Sequence, residues 1–225
     1  MKAEIAAISR HRIAVDGDGV NTLVVFMDCP LRCRFCLNPQ TLSRDLPYRE
    51  ITPEELYGET KKDELYFLAT GGGVTFGGGE PLLRPDFIRA FHSLCGPGWK
   101  LNAETSLNVP QENVMALMPV MDHWFIDIKD MDPEIYRSYT GRDNARVRDN
   151  LRLLADAGLA TRCTLRIPHI PGYNGDADRD RSVKELEAMG FNSFDRFEYR
   201  TQINGKRKGN MPDSQGDQKA DRQGK

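Results

Sequence analysis

The sequence predicts an α/β fold built on a parallel sheet. Short β-branched or aromatic runs alternate with helix-like segments about six times, the pattern of successive βα units. Glycines and polar residues gather directly after those runs. The 225 residues are 39% apolar and 28% charged, which fits a soluble globular chain. Crossovers between parallel strands are then expected to be right-handed. Six units are too few for a closed eight-stranded barrel, so either an open partial barrel or a doubly wound sheet is expected. There is no internal repeat.

Val24-Val25-Phe26-Met27 reads as the first strand. Thr52-Pro53-Glu54-Glu55 opens a helix expected to run to Leu68: Thr52 caps, Pro53 suits the first turn and Glu55 completes a capping box. Val74 to Phe76 is the second strand, and Pro85 to Cys95 a helix closed by Gly96-Pro97-Gly98. Trp99 to Ala103 is the third strand and Gln111 to Met118 the next helix. His123 to Ile128 is the fourth strand, followed by a short helical piece at Asp132-Pro133-Glu134 and a fuller helix from Ala145 to Ala157. Thr161 to Ile167 is the fifth strand, Asp178 to Met189 a helix stopped by Gly190, and Phe194 to Tyr199 the sixth strand. From Asn204 to Lys225 there is no Leu, Ile, Val, Phe, Tyr or Trp. Such a segment cannot bury enough apolar surface to offset its ordering entropy. The expected division is one folded α/β domain over 1–203 and a disordered polar tail over 204–225.

Charge and hydropathy exclude some classes. Thirty-one basic and 33 acidic residues leave a net charge of −2. That balance argues against a general nucleic-acid or membrane-surface binder. No apolar run reaches the ~18–20 residues of a membrane span. Met1-Lys2-Ala3-Glu4 lacks the apolar stretch of a secretory signal, so a cytoplasmic location is expected.

Chemistry concentrates in Cys29-Pro30-Leu31-Arg32-Cys33-Arg34-Phe35-Cys36, a CxxxCxxC spacing. Three of the five cysteines within eight residues make a poor disulfide framework and read as a soft-metal site. A structural zinc site usually needs a fourth ligand, and none is evident nearby. Spacing alone leaves a 4Fe–4S cluster, zinc and no metal all open; a cluster on three thiolates would keep one iron open. Gly77-Gly78-Gly79-Glu80 directly follows the second strand, where glycines permit close backbone approach. Glu104-Thr105, Asp127-Ile128-Lys129 and Arg166 lie toward the ends of the next three strands. In parallel α/β folds, such positions converge on one mouth.

These residues carry a resemblance. The stretches VDGDGVNTLVVFMDCPLRCRFCLNPQT, VTFGGGEPLL, ETS at Glu104 to Ser106, FIDIKDMDPEIYRSYTG and TLRIPHIPGYN span Val15 to Asn174. In this order they resemble the radical S-adenosylmethionine (SAM) superfamily, and within it the glycyl-radical-enzyme activating enzymes. The resemblance implies a partial (β/α)6 TIM-like barrel, the radical SAM core. It implies a 4Fe–4S cluster on Cys29, Cys33 and Cys36, with SAM chelating the open iron. Phe35 would pack near the adenine, and Gly78, Gly79 and Glu80 would sit by the ammonium of the methionine moiety. Asp127, Lys129 and Arg166 would help fix the ribose and carboxylate. Glu104, Thr105 and Asp127 match positions that can hold a monovalent cation. The implied activity is one-electron cleavage of SAM to a 5′-deoxyadenosyl radical. That radical takes a glycine Cα hydrogen from a partner glycyl-radical enzyme, with reduced flavodoxin or ferredoxin as electron donor.

Several positions depart from the family pattern. Asp18 stands where proline is frequent, Asp28 where glycine is frequent and Leu37 where histidine is common. There is no second cysteine cluster between Pro39 and Val74, so the chain resembles the minimal form without a ferredoxin-like insert. Arg200 follows Tyr199 where the family often has histidine. Other residues read as structure: Cys95 and Cys163 as buried thiols, His123 and Trp124 as strand packing, and Met115, Met118 and Met121 as core. Lys206-Arg207-Lys208 reads as a solvated run. Two rival functions remain: a radical SAM enzyme acting on a small molecule or peptide, and a zinc-stabilised scaffold.

Overall fold

The computed structural model describes residues 1–199 and two short strand pieces, Gln202–Ile203 and Lys206–Arg207, which pair antiparallel. The expectations for Arg200 and for the rest of the 204–225 tail lie outside the described residues.

Eight strands form one sheet: β1 (Ala3–Ile13), β2 (Val20–Phe26), β3 (Arg49–Ile51), β4 (Gly73–Gly78), β5 (Lys100–Thr105), β6 (His123–Asp127), β7 (Cys163–His169) and β8 (Phe194–Glu198). Their order is β3-β1-β2-β4-β5-β6-β7-β8. From β2 to β8 every neighbour is parallel, which gives the six expected units in sequence order. The intervening helices are α1 (Pro53–Thr60), α2 (Glu64–Thr70), α3 (Pro85–His92), α4 (Gln111–Leu117), α5 (Pro133–Thr140), α6 (Ala145–Asp156) and α7 (Asp176–Ala188). This open sheet is the partial barrel that the resemblance implied.

Alternation within the strands separates two faces. Val24, Phe26, Val74, Phe76, Leu101, Ala103, Trp124, Ile126, Cys163 and Leu165 are all buried in the main hydrophobic core. The intervening residues, among them Asn21, Thr75, Asn102, Glu104, Asp127 and Arg166, are mostly polar. A β-carbon on Gly77 would lie 2.8 Å from the Glu104 carboxylate and 3.2 Å from Leu23, so these three share that second face.

Some expectations needed correction. β1 and β3 pair antiparallel at the edge and were not anticipated. β1 carries two register irregularities, between Ile5 and Ala7 and between Ser9 and Arg12, and much of it is exposed, so it shows no clean alternation. The long first helix is split by a 3₁₀ turn at Lys61–Asp63. Asp63 is fully buried there, ion-paired with Arg10 and accepting from Thr22 Oγ1 at 2.9 Å. The capping box at Thr52 and Glu55 is present. Met115 is 55% exposed rather than core, and Cys95 is only half-buried. No helix among the described residues is long and apolar enough to cross a membrane.

Candidate active site at the strand ends

The three clustered cysteines sit on the connection leaving β2. Their loop is fixed at its root by backbone bonds: Asp28 N donates to Thr41 O (2.9 Å), Glu80 N to Asp28 O (2.7 Å) and Gly79 N to Phe26 O (3.0 Å). A β-carbon on Gly79 would lie 2.1 Å from Asp28 O, so the glycine run is needed to bring the ends of β2 and β4 together. Further along, Arg32 N donates to Thr140 O (2.9 Å) and Arg34 N to Tyr139 O (3.1 Å), which ties the loop to the end of α5. Between them Cys33 packs against the core, and Cys36 N closes a turn onto Cys33 O (3.2 Å).

Glu80 is fully buried and its carboxylate is already engaged. It accepts from Thr105 Oγ1 (2.7 Å), Ser106 Oγ (2.7 Å), Ser106 N (2.9 Å) and Leu82 N (3.3 Å). Burial pushes its pKa up against these bonds to the charged form. Glu80 thus joins the end of β4 to the end of β5, and Thr105 serves as its donor. Ser106 is a site residue the sequence reading left unassigned.

Next to them lies a chain of opposite charges. Lys129 Nζ contacts Asp127 at 3.0 Å, and Arg166 contacts Glu104 at 2.8 Å and Asp127 at 4.0 Å. The Arg166 guanidinium lies over the Phe125 ring, 4.8 Å from its centroid. Burial opposes charge on Asp127, but Lys129 and Arg166 win and hold its pKa below the ordinary value. Burial likewise opposes the Lys129 ammonium, yet Asp127, Tyr199 and Cys33 keep it well above its usual value. Glu104 is pushed up by burial, with Arg166 resisting. The sequence reading grouped Asp127, Lys129, Arg166 and Glu104, and the structure brings these four together.

An aromatic wall completes the site. Phe35 packs against Tyr173 (6.0 Å between centroids) and Tyr139 (6.3 Å). Tyr199, directly after β8, donates its hydroxyl to Phe35 O at 2.7 Å. The last strand therefore pins the backbone beside Cys36, a link that no sequence pattern revealed. A cavity of about 410 Å³ lies apart from this site, at the opposite ends of the strands beside Asp18, Lys100 and His123.

The donor set fits an iron–sulfur cluster: Cys29, Cys33 and Cys36 are partly buried thiols on one short loop, and thiolates are the soft ligands that hold such clusters. Burial pushes Cys29 up to about 12 and Cys33 to about 11, and each is raised further by the Cys36 charge, while the Lys129 ammonium pulls Cys33 down. Thiols raised in this way, as Cys29 and Cys33 are, become thiolates once a cationic centre binds.

The radical SAM superfamily model matches residues 23–186, from β2 into α7. The chain belongs to the radical SAM superfamily. It is 29% identical to the (2S)-3-sulfopropanediol dehydratase activating enzyme of Klebsiella oxytoca over 72% of this chain and 69% of that protein. It is 33% identical to the pyruvate formate-lyase-activating enzyme of Staphylococcus aureus (strain USA300) over 73% of this chain and 67% of that protein. Both are glycyl-radical activating enzymes, and this radical SAM protein is an enzyme of that type. It spans roughly two thirds of their length. Among solved structures, Streptococcus suis SuiB bound to S-adenosylmethionine superposes with a TM-score of 0.64 at 15% identity, covering 83% of this chain and 41% of SuiB, a likeness of fold. The family implies a 4Fe–4S cluster and SAM as cofactors.

Proposed function

We propose that this radical SAM enzyme activates a partner glycyl-radical enzyme related to pyruvate formate-lyase. The reading rests on one observation above all. The three-cysteine loop stands beside the Lys129–Asp127 and Arg166–Glu104 pairs at the strand ends, held there by Glu80 and Tyr199. A 4Fe–4S cluster held there would supply the one electron that cleaves the SAM carbon–sulfur bond, with methionine as leaving group and one hydrogen atom taken from the partner's glycine Cα, so that the products would be 5′-deoxyadenosine and a glycyl radical.

The protein's own residues position and shield. Cys29, Cys33 and Cys36 would hold the cluster. Phe35, within its tyrosine cluster, offers a flat apolar face to the adenine and excludes water. The backbone around Gly78, Gly79 and Glu80 serves the ammonium of the methionine moiety, since the Glu80 carboxylate is saturated by four donors. Lys129 and Arg166 serve the SAM carboxylate and ribose together with Asp127. Glu104, Thr105 and Asp127 are the groups available to a monovalent cation; Glu104 would have to release Arg166 and Thr105 its bond to Glu80. Reduced flavodoxin or ferredoxin supplies the electron. Thiolate-held iron suits an anaerobic, reducing cytoplasm.

The test mixes anaerobically reconstituted protein, SAM, a strong reductant and pyruvate formate-lyase or another glycyl-radical enzyme. A glycyl doublet in electron paramagnetic resonance is expected. Formation of 5′-deoxyadenosine with no radical on any such partner would assign the enzyme to a small-molecule or peptide substrate instead.

A further inference from the structure

The cluster loop and α5 present an arginine-rich face. Over residues 31–34 the chain alternates: Leu31 is buried and Cys33 packs against the core, while Arg32 and Arg34 are exposed. The backbone bonds from Arg32 and Arg34 to Thr140 and Tyr139 lay this segment along the end of α5, which carries exposed Arg137 one turn before Gly141, with exposed Arg142 next. Arg142 Nε reaches Pro30 O at 3.2 Å, and Arg32 Nη1 reaches Cys29 O at 2.6 Å and Leu31 O at 2.8 Å. These are carbonyl partners, so among the described residues no carboxylate neutralises Arg32 or Arg142. Among the described residues Arg32, Arg137 and Arg142 form no ion pair. The nearest acids in sequence, Glu134 and Asp143, pair with none of them, and Asp143 is turned back to Ala145 N (3.1 Å). The concentration is local, because the whole chain carries a net charge of −2.

We propose that Arg32, Arg34, Arg137 and Arg142 form the docking surface for an acidic one-electron carrier protein that reduces the cluster. The inference rests on the activating-enzyme reading above. Two observations favour an electron donor over the glycyl-radical partner. Arg32 and Arg34 flank Cys33 in sequence, so a carrier seated on them lies as close to a cluster ligand as a docked protein can. Cys33 itself packs with Tyr139 and Tyr199 and lies within reach of the Lys129 charge, the groups assigned above to SAM, whereas the arginine side chains are exposed. Electron-transfer encounters are small and transient and depend on charge complementarity for their rate. Arg32, Arg137 and Arg142, which form no ion pair among the described residues, provide that steering.

The experiment measures binding of a bacterial flavodoxin and, separately, of a ferredoxin to the reconstituted protein at low and high salt. A basic carrier, cytochrome c, serves as control. The test variant is Arg137→Glu, at an exposed position of α5 outside the cluster loop. At least one acidic carrier should bind in a salt-sensitive way, Arg137→Glu should weaken it about tenfold, and cytochrome c should not bind. The rate of 5′-deoxyadenosine formation driven by that carrier should fall similarly, while the dithionite-driven rate and the iron content stay at wild-type values. Absence of carrier binding, equal binding by Arg137→Glu, or a loss confined to pyruvate formate-lyase binding would overturn the proposal. Wild-type protein that binds the carrier through Arg137 but never cleaves SAM with dithionite would overturn the activating-enzyme reading and leave the docking surface standing.

Discussion

Asp28 stands in the left-handed region at φ +68° while its carboxylate accepts from Arg84 at 2.8 Å, one residue before the first cluster cysteine. Arg44 joins the same carboxylate at 3.0 Å and also pairs with Glu4 of β1. The family's frequent glycine at this place avoids backbone strain; here two guanidinium contacts offset it. Left-handed backbone costs a side-chain-bearing residue roughly 1 kcal/mol, and exposed ion pairs return up to about that much. Asp28→Ala keeps the strain and loses both pairs, so it should lower stability by about 1–2 kcal/mol. Asp28→Gly should be the milder change. Urea unfolding of the metal-free protein distinguishes them, and equal losses in both variants would argue against compensation.

Glu80 should matter to the fold as much as to the site. Replacing it with alanine leaves Thr105 Oγ1, Ser106 Oγ, Ser106 N and Leu82 N without their acceptor in a buried place. A loss of about 3 kcal/mol is expected, with reduced iron uptake because the carboxylate no longer ties the end of β4, which bonds the Asp28 peptide, to the end of β5. Unfolding and iron analysis on the same preparation measure both; a variant as stable as wild type would show that water replaces the carboxylate.

Tyr199→Phe removes the hydroxyl that donates to Phe35 O and leaves the ring in place. The expected cost is about 1 kcal/mol. Iron content should be unchanged and KM for SAM should rise, with kcat less affected. An unaltered KM would mean that Phe35 is positioned by Tyr139 and Tyr173 alone.

Acid should act through Asp63. Burial opposes its charge, but the hydrogen bonds from Arg10 and Thr22, with the Arg10 and His11 charges, hold its pKa below the ordinary value. A carboxyl depressed by folding stabilises the native state above its unfolded pKa of about 3.9 and loses that contribution as pH falls through the native value. Wild type should therefore exceed Asp63→Asn in thermal stability at pH 6, and the gap should narrow as pH falls below about 4. A gap that stays constant or widens on acidification would contradict this account.

How much of this was legible in the sequence depends on the kind of contact. Val24 to Phe26 and Val74 to Phe76 gave away their strands because buried central strands need continuous β-branched or aromatic runs. The bulged edge strand around Ser9 to Arg12 has no such need and hid itself. Asp127, Lys129 and Arg166 were legible because strand ends in parallel sheets share a mouth. Tyr199 and Ser106 were not: their partners, Phe35 O and Glu80, are set by three-dimensional closure that no local pattern records. The glycines read as room for a ligand, and the structure gives them a second task, the approach of Gly79 to Asp28 O.

The central claim is that Cys29, Cys33 and Cys36 hold a cluster whose remaining iron is open to SAM. The most direct measurement is electron paramagnetic resonance of the anaerobically reconstituted, reduced protein with and without SAM, with Cys33→Ala and Cys95→Ala in parallel. The account predicts a cubane signal that SAM shifts, lost in Cys33→Ala and retained in Cys95→Ala. A protein that assembles no cubane, or one whose signal is the same with and without SAM, would contradict it.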